Sequence, residues 1–387
     1  MRHRQARTAT FAVFAVQGLS FATLLTQVAT LQDKHGLSEG DLTLLLLVVP
    51  VLAGAGSVAA GALAARRGSR WLLRLSQPAV AVSVVAAGLA AEIPHLLAAL
   101  ALFGLAVGAV DAGMNMQGVA VERLYGRAVL NGFHAAWSAS SLAGALWVAL
   151  ANGLGLTLPV MMAIPMAVAV VGSLLAAPRL CTIAEEKAPA QAKGGAPGGV
   201  RWGPILPLCL AMGFLYVGDA AVSNFHGVFM ENILAASASV APLAYGAYQG
   251  ATLLVRLGGD LTVRRYGPAA IVRIGGAIAT IGFAGVVFAP SQPLAIVAFG
   301  LTGMGLAVVA PQSFSAAGRL DPAGTGVAIA RVNLFNYVGF IVGAALVGGI
   351  ADSSDMRVAF GAPLVLAGAI VVLARGFEPR VTAQPVA

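Results

Sequence analysis

Residues 41–68 read DLTLLLLVVPVLAGAGSVAAGALAARRG, an apolar run that ends at Arg66 and Arg67. A helix that crosses the roughly 30 Å of hydrocarbon in a bilayer needs about 20 mostly apolar residues, and this run is long enough. Paired arginines favour retention of their end on the cytoplasmic side of a membrane. The stretch therefore predicts a transmembrane helix whose cytoplasmic end lies near residue 64.

The same alternation of apolar runs and cationic gaps repeats along the whole chain. All but Lys34 and Arg357 of the 23 lysines and arginines lie in alternate gaps, beginning with the N-terminus and ending after the last apolar run. Cytoplasmic loops of membrane proteins carry such an excess of cations, and a soluble protein has no reason to show it. The pattern predicts a multi-pass protein of the bacterial cytoplasmic (inner) membrane with both termini in the cytoplasm.

The composition supports a membrane protein and excludes other classes. The chain is 59% hydrophobic and 10% charged, with a mean hydropathy of +0.87, whereas soluble domains carry about 25% charged residues. The net charge of +8 is divided among separate loops, so it does not indicate nucleic-acid binding. Cys181 and Cys209 fall on the predicted cytoplasmic side, where a structural disulfide is not expected.

About twelve spans of 20 residues fit in this length. We predict an all-α integral membrane protein whose spans cover residues 9–31, 41–64, 72–91, 95–120, 128–151, 156–177, 204–230, 240–259, 269–289, 294–316, 326–350 and 358–376. The gap 178–203, rich in Ala, Gly, Pro and charge, predicts a flexible cytoplasmic linker. It divides the chain into an N-terminal six-helix bundle, residues 1–177, and a C-terminal six-helix bundle, residues 204–387.

The two halves resemble each other at matching positions. GALAARRG (61–68) follows predicted span two, and GDLTVRRYG (259–267) follows predicted span eight, about 198 residues later. Such an offset is what a duplicated six-helix unit requires. The paired loops resemble the signature G-x-x-x-D-R-x-G-R-R of the major facilitator superfamily, and twelve spans with a central linker are similar to that family throughout.

The resemblance implies a transporter whose two bundles are pseudo-symmetric. It also implies a cytoplasmic gate held by charge and helix-dipole contacts, for which the matching residues are Gly61, Arg66, Arg67, Arg256, Asp260, Arg264 and Arg265. The first loop departs from the signature, because Ala65 stands where an Asp is expected. A carboxylate such as Asp260, at a helix end among arginines, gains charge-assisted hydrogen bonds.

Two carboxylic acids lie deep in predicted spans, where an ionisable group costs about 2.5–3.5 kcal/mol and therefore indicates a functional site. Asp111 lies in GAVDAGMNMQG (108–118), and Asn115 follows it one turn later on the same helix face. An apolar surrounding favours the neutral form of a carboxyl group, so Asp111 is a candidate for proton exchange. This segment resembles span four of the fucose-permease-like branch, which implies proton coupling and substrate contact at Asp111. A structural, permanently hydrogen-bonded Asp is the alternative.

The second acid, Asp219, lies in LYVGDAAVSNFHGVF (215–229). Tyr216, Asp219, Ser223 and His226 share one helix face, and their mixed donors and acceptors suit a hydroxyl-rich ligand. The segment resembles span seven of the same branch. Some members of that branch have a second acid where Asn224 stands here, so a two-carboxylate relay is not expected. Asp219 is a candidate for proton coupling and for substrate binding, with helix–helix hydrogen bonding as the alternative.

Predicted span five, GRAVLNGFHAAWSASSLAGAL (126–146), carries a further polar stripe. Asn131 and His134 are candidate substrate contacts, and His134 is also a candidate proton carrier. Trp137 could stack on a sugar face or simply pack. The run FHAAWS again resembles the fucose-permease-like branch. Further candidate substrate contacts on spans four and seven are Asn115, Tyr216 and Asn224. Weaker candidates lie on other spans: Gln17, Gln27, Tyr248, Gln249, Asn333, Asn336 and Tyr337.

These observations favour a secondary transporter that moves a small polar solute by alternating access, with proton coupling. The resemblance favours a sugar-like solute and a monomer. Export of drugs or metabolites by proton antiport is the alternative, although the R-x-x-Q-G and G-P-x-x-G-G runs of such exporters are missing. A membrane-embedded enzyme and a non-transporting sensor are more distant alternatives. No cofactor or metal is expected, because the sequence has no Walker lysine loop, CxxC, HExxH or dense His/Cys cluster.

Overall fold

A computed structural model describes residues 2–37, 39–187, 200–237, 240–321 and 323–378. Its regular elements, within these ranges, are all helices. The α-helices are α1 (Arg2–Leu25), α2 (Val28–His35), α3 (Glu39–Arg67), α4 (Ser69–Leu89), α5 (Ile93–Tyr125), α6 (Leu130–Gly153), α7 (Leu158–Ala176), α8 (Ile183–Glu186), α9 (Trp202–Val228), α10 (Ala241–Tyr266), α11 (Pro268–Val287), α12 (Gln292–Leu306), α13 (Val309–Leu320), α14 (Val327–Ser353) and α15 (Met356–Leu373).

Ten helical segments within the described ranges are long and apolar enough to cross a membrane. Two further helices of similar length, α6 and α10, fall outside that set because they are more polar. With α12 and α13 counted as one segment, these make the twelve crossings that the sequence predicts. The helices α6 and α10 pack against each other between the two halves of the chain, and polar residues such as Asn131, Ser138, Arg256 and Asp260 lie in that contact.

The segment predicted as one span over 294–316 is broken into α12 and α13. Pro311 has no N–H group, and its ring crowds the carbonyl group four residues earlier, at Ala307. The backbone turns at Ala307 and Val308, and α13 begins at Val309. The short helix α2, which was not predicted, ends at Gly36, a glycine in the left-handed region with φ 60°.

The long helices form two groups, one of α1 and α3–α7 and the other of α9–α15, which we call the first and second bundles. Within each bundle, glycines allow close approach. A Cβ atom on Gly108 of α5 would lie 1.9 Å from the carbonyl oxygen of Ala53 in α3, and one on Gly339 of α14 would lie 2.3 Å from that of Gly213 in α9. Any side chain at these two positions would force the helices apart.

Most of the arginines lie at one end of the bundles, which also carries the start of α1 and the end of α15. We call this the basic end. The chain after α7 packs against it, through a 3₁₀ turn over Ala177–Arg179 and then α8, whose first turn is capped by Thr182. Residues 188–199 of the predicted linker lie outside the described residues.

Glu186, the last residue of α8, fixes this segment to the first bundle. Its buried carboxylate accepts hydrogen bonds from N and Oγ of Ser69, at 3.0 and 2.9 Å, and from Nε2 of Gln117 at 2.8 Å. Ser69 begins α4, where the free N–H groups of a helix favour an anion. The start of the predicted linker is therefore a packed part of the first bundle.

The two carboxyl groups at the end of α8 should respond to pH in opposite directions. The hydrogen bond from the Arg2 guanidinium, 2.7 Å away, lowers the pKa of Glu185 to about 2, whereas burial raises the pKa of Glu186. The stability that Glu185 contributes is present above its ordinary value of 4.5 and is lost as pH falls toward 2. The stability linked to protonation of Glu186 is present below its ordinary value and is lost as pH rises through the raised value.

We therefore expect Glu185→Gln to lower the melting temperature of the purified protein more at pH 7 than at pH 4. Glu186→Gln should lower it more at pH 4 than at pH 7. The effect of Glu185→Gln should be small, about 1 kcal/mol or less, because the ion pair with Arg2 is partly exposed. Thermal unfolding in detergent between pH 8 and pH 4 measures both. Shifts of the same sign with pH in the two variants would contradict this assignment.

Candidate functional site

The two bundles are joined at the basic end by a ladder of hydrogen bonds between α6 and α10. Nearest the end, Nε of Arg264 donates to the carbonyl oxygen of Ala128 at 3.0 Å. One turn deeper, Asp260 binds the first turn of α6. Deeper again, Nη1 of Arg256 donates to Oγ of Ser138 at 2.7 Å. The three members on α10 are one helical turn apart and their partners run from Ala128 to Ser138, so the ladder closes the bundles over about 12–15 Å from this end.

Asp260 is the strongest contact in this ladder. Its Oδ1 accepts from N and Nδ2 of Asn131, at 3.0 and 3.1 Å, and its Oδ2 accepts from N of Gly132 at 3.1 Å. The first N–H groups of a helix have no partner within the helix, and a carboxylate stabilises them through both hydrogen bonds and the helix dipole. A residue of the second bundle thus caps a helix of the first. Asn131, predicted as a substrate contact, belongs to this cap.

The equivalent contact of the first loop, between α3 and α14, has no carboxylate. A Cβ on Gly61 would lie 2.7 Å from Cβ of Ala330, so the helices touch directly there. Ser57 Oγ donates to the carbonyl oxygen of Ala330 at 3.4 Å, and Nδ2 of Asn333 donates to Ser57 Oγ at 3.0 Å. Ala65 therefore leaves an apolar contact with a neutral hydrogen-bonded pair where the second loop has a charged cap.

Four of the predicted gate arginines, Arg66, Arg67, Arg264 and Arg265, are exposed, and of these Arg264 belongs to the ladder. The guanidinium groups of Arg67 and Arg265 lie over the rings of Trp71 and Tyr266, at 4.6 and 5.3 Å, close to them in sequence. These contacts hold the side chains on their own bundles, so they add no link between the two.

Residues outside the predicted set also join the bundles at the basic end. Nη2 of Arg123 donates to the carbonyl oxygens of Gly318 and Asp321, the latter at 2.8 Å. Glu122 accepts a hydrogen bond from Oγ of Ser315. The sequence feature that could have indicated this contact is the charged pair at 122–123, at the end of a long apolar run. Arg123 was interpreted only as one of the cations that keep a loop in the cytoplasm.

Near the middle of the bundles, Asp111 links three helices. Its Oδ2 accepts a hydrogen bond from Oη of Tyr337 in α14, and its Oδ1 accepts from Nε2 of Gln17 in α1 at 3.3 Å. Nδ2 of Asn115 donates to the backbone oxygen of Asp111 at 2.8 Å, and Oδ1 of Asn115 is buried without a partner. The carboxylate of the first bundle is thus held by a hydroxyl group of the second.

Asp219 has a partner within its own bundle. Its Oδ1 accepts from Oη of Tyr248 at 2.6 Å. Tyr245, which the sequence reasoning missed, stacks between Tyr248 and His226, with ring centroids 6.1 and 5.2 Å away. Nε2 of the exposed Gln249 donates to Oη of Tyr245 at 2.8 Å. Asp219, Tyr248, Tyr245 and Gln249 therefore form one chain of contacts between α9 and α10. The i, i+3 and i+4 spacing of 245, 248 and 249 could have revealed this group.

His134 lies on α6, at the contact between the two bundles. Its ring is buried against Phe14 and Phe314, at 5.2 and 6.2 Å between centroids, and Nε2 has no hydrogen-bond partner. Trp137 is half-buried, 5.9 Å from the ring of Phe21. His134 and Trp137 thus combine aromatic packing with one free ring nitrogen at the bundle interface.

The remaining predicted contacts divide between the interface and elsewhere. Tyr216 and Asn336 are half-buried, and Asn333 is buried in the contact with Ser57. Asn224 is exposed, and its Nδ2 donates to the carbonyl oxygen of Ala220 in its own helix at 2.9 Å. The arrangement brings together Asp111, His134, Asp219 and their partners, but not Asn224. Within the described residues no His, Cys, Asp and Glu form a group that could hold a metal ion.

Taken together, two packed helical bundles with acids and hydrogen-bonding groups at their interface define a multi-pass membrane protein of the transporter class. A family model for the Major Facilitator Superfamily matches residues 10–330 and 208–386. The chain belongs to this superfamily and is a transporter.

Its relatives and structural neighbours agree. The uncharacterized transporter y4wD of Sinorhizobium fredii (strain NBRC 101917 / NGR234) is 29% identical over 373 residues, covering 93% of this chain and 95% of that protein. The transporter FucP in its outward conformation superimposes with a TM-score of 0.81 at 14% identity, over 98% of this chain and 100% of FucP. The proton:xylose symporter XylE gives 0.74 at 14% identity, over 97% and 96%.

Proposed function

We propose that this transporter carries a small polar, sugar-like solute across the bacterial cytoplasmic membrane by alternating access, coupled to protons. Residues 1–177 and 204–387 act as the two moving halves, joined by the linker 178–203. The basic end faces the cytoplasm, because its arginines resist translocation. The bundles are joined there by the α6–α10 ladder, so this conformation is closed toward the cytoplasm.

The hydrogen bond between Asp111 and Tyr337 carries this proposal. It lies at the bundle interface, and it joins the one deep acid of the first bundle to a donor of the second. An ionised Asp111 accepts a strong hydrogen bond from the Tyr337 hydroxyl group. A protonated Asp111 is neutral, and its hydrogen bond with Tyr337 is weaker. Proton binding therefore weakens a contact between the bundles, and this links protonation to the change of conformation.

The other candidates then form the solute site around this link. Asp219 with Tyr248, His134, Trp137 and Gln249 supply acceptors, donors and aromatic surface, the mixture that a hydroxylated solute needs. Transporters built from two such bundles bind their substrates near the middle of the membrane, at the interface between the bundles. That XylE is named a proton:xylose symporter supports a sugar-like solute, although its identity to this chain is only 14%.

The proposal is tested in proteoliposomes that contain the purified protein and an internal pH dye. A panel of sugars, polyols, sugar acids and amino acids is added outside. We expect at least one solute to carry protons inward and to accumulate when an inward proton gradient is imposed. Reporter fusions at both termini should locate them in the cytoplasm. Solute flux at the same rate with and without the proton gradient would contradict the proposal. So would a terminus located in the periplasm.

A further inference from the structure

Arg256 is a cation deep in the interface without a matching anion. It lies ten residues from the basic end of α10, which is about 15 Å along a helix. Its one inter-bundle contact is with a neutral hydroxyl group, Oγ of Ser138, and its Nε is buried with no partner. Among the described side chains, no carboxylate oxygen lies within 4.0 Å of its guanidinium nitrogens.

A charge at this depth is costly unless something compensates it. Asp219 is the nearest acid that interacts with Arg256 through space, but Tyr248 Oη binds Asp219, and the two charges do not form an ion pair. The planar fork of a guanidinium group suits a two-point contact with an oxyanion, and that contact is unfilled here.

Arg256 also lies at the inner end of the contacts that join the bundles. The ladder of Arg264, Asp260 and Arg256 covers the basic end. Farther along the same stripe of α10 comes the exposed Gln249. Arg256 and Ser138 both lie fifteen residues from the opposite ends of their helices, about 22 Å from that surface. Arg256 therefore lies where the ladder ends, near the middle of its helix.

A second buried nitrogen without a partner lies beside it. Nε2 of His134, on the turn of α6 before Ser138, is buried without a partner among the described residues, and His134 and Arg256 interact electrostatically. Nε of Arg256 is a donor, and Nε2 of a neutral histidine is a donor in one of its two tautomers, so a single acceptor could satisfy both buried nitrogens. The hydroxyl-binding groups Tyr245, Tyr248 and Gln249 lie farther out on α10.

We propose that Arg256 binds an oxyanion of the transported solute, so that the substrate is a small hydroxylated carboxylate such as a sugar acid. The carboxylate lies against Arg256 and His134, and the hydroxyl groups point toward Asp219, Tyr245 and Gln249. Binding replaces the Arg256–Ser138 hydrogen bond with a charged contact, so the solute itself loosens the last step of the ladder. This inference rests on the proposed transport function and names its substrate class.

Matched pairs of solutes test this directly by binding, without any transport. Purified protein in nanodiscs is titrated calorimetrically with D-glucuronate against D-glucose, D-galacturonate against D-galactose, and D-gluconate against D-glucitol. We expect at least one carboxylate to bind at least tenfold more tightly than its neutral partner. Equal or tighter binding of the neutral partners, or no binding by any carboxylate, would overturn the proposal.

Substitutions then assign the preference to this residue. Arg256→Gln should abolish the preference for the carboxylate, and Arg256→Lys, which keeps the charge but not the fork, should retain part of it. Arg74→Gln removes an exposed arginine from the first bundle and should retain the full preference. Size-exclusion profiles and melting temperatures establish that each variant is folded. If Arg256→Gln and Arg256→Lys both keep the full preference, the assignment is wrong.

The outcome separates the inference from the proposed function. Proton-coupled flux of a neutral sugar, with no carboxylate bound, would contradict the oxyanion site and would support the proton-coupled transporter. Carboxylate binding that depends on Arg256, without proton movement in proteoliposomes, would keep the site and remove proton coupling.

Discussion

Asp111→Asn should abolish accumulation of solute against its gradient while exchange of solute across the membrane continues. Asn keeps the size of the side chain, and its one oxygen can still accept a hydrogen bond from Tyr337 or from Gln17, but it cannot bind and release a proton. A carrier locked in a state that resembles the protonated one still moves between conformations with solute bound. We expect the accumulation ratio to fall at least tenfold and the exchange rate to stay within about threefold, since one proton at a gradient of one pH unit is worth about 1.4 kcal/mol.

Tyr337→Phe is the matched variant for this experiment. It leaves the titrating group and removes the inter-bundle hydrogen bond through which protonation acts, so we expect the accumulation ratio to fall while exchange continues. Both variants are measured in proteoliposomes with the solute that the flux panel identifies. Undiminished accumulation by Asp111→Asn would remove Asp111 from the proton pathway. Loss of exchange in a folded Asp111→Asn would show instead that the ionised carboxylate is needed for solute binding.

Asp260→Ala should open the basic end of the transporter. The substitution removes three hydrogen bonds to the start of α6 and the charge that faces its dipole. Hydrogen bonds to charged groups contribute about 1.5–3 kcal/mol each at most, so a net loss of about 2–4 kcal/mol for the set is expected. Because every 1.4 kcal/mol changes an equilibrium tenfold, the population with the basic end open should rise by at least tenfold.

A buried reporter measures this population. Val119 of α5 lies against Gly318 of α13, where a Cβ on the glycine would come within 2.2 Å of the valine, so opening of the interface exposes it. The thiol introduced by Val119→Cys is labelled in inside-out vesicles, after replacement of the two native cysteines, both of which are buried. We expect Asp260→Ala to raise the labelling rate at least tenfold.

Asp352→Asn, an exposed acid near the opposite ends of the helices, is the control and should leave the labelling rate unchanged. The contact at Gly61, which has no carboxylate, provides a second comparison with the charged cap at Asp260. Gly61→Ala on the first bundle adds a methyl group where Ala330 of the second already lies, so it should raise labelling through crowding rather than through loss of charge. Labelling of the Asp260→Ala protein at the rate of the parent would mean that the cap does not hold the bundles together.

The depth of individual groups could not be read from the chain. The sequence grouped Arg256 with Arg264 and Arg265 as cations near one loop. The helix continues to Tyr266, so Arg256 lies more than two turns inside it, at the end of the ladder rather than at the surface. Boundaries of apolar runs locate a helix to within a few residues, and a shift of that size moves a side chain from the headgroup region into the protein interior.

Some groups were identified by residue type but given the wrong neighbours. Asn131 was expected at the solute site, yet its backbone and side chain bind Asp260 in the cap. Asn224 was expected in the same site, yet it is exposed and bonded to its own helix. A side-chain amide on a helix can bind a ligand, bond to the start of another helix or bond to the backbone of its own helix. The packing of the neighbouring helix decides which of these it does.

The sequence by itself determined the class of this protein, its twelve crossings and the duplication of its halves. Hydrophobic length and the distribution of arginines are local properties, and the bilayer imposes them on each segment separately. The tertiary structure alone decided that the bundles close at the basic end, that Tyr337 binds Asp111 across 226 residues of sequence, and that Arg256 lacks an anion. Those facts depend on how the two bundles pack against each other. A contact between residues that far apart in sequence cannot be recognised from the hydrophobic pattern of either segment.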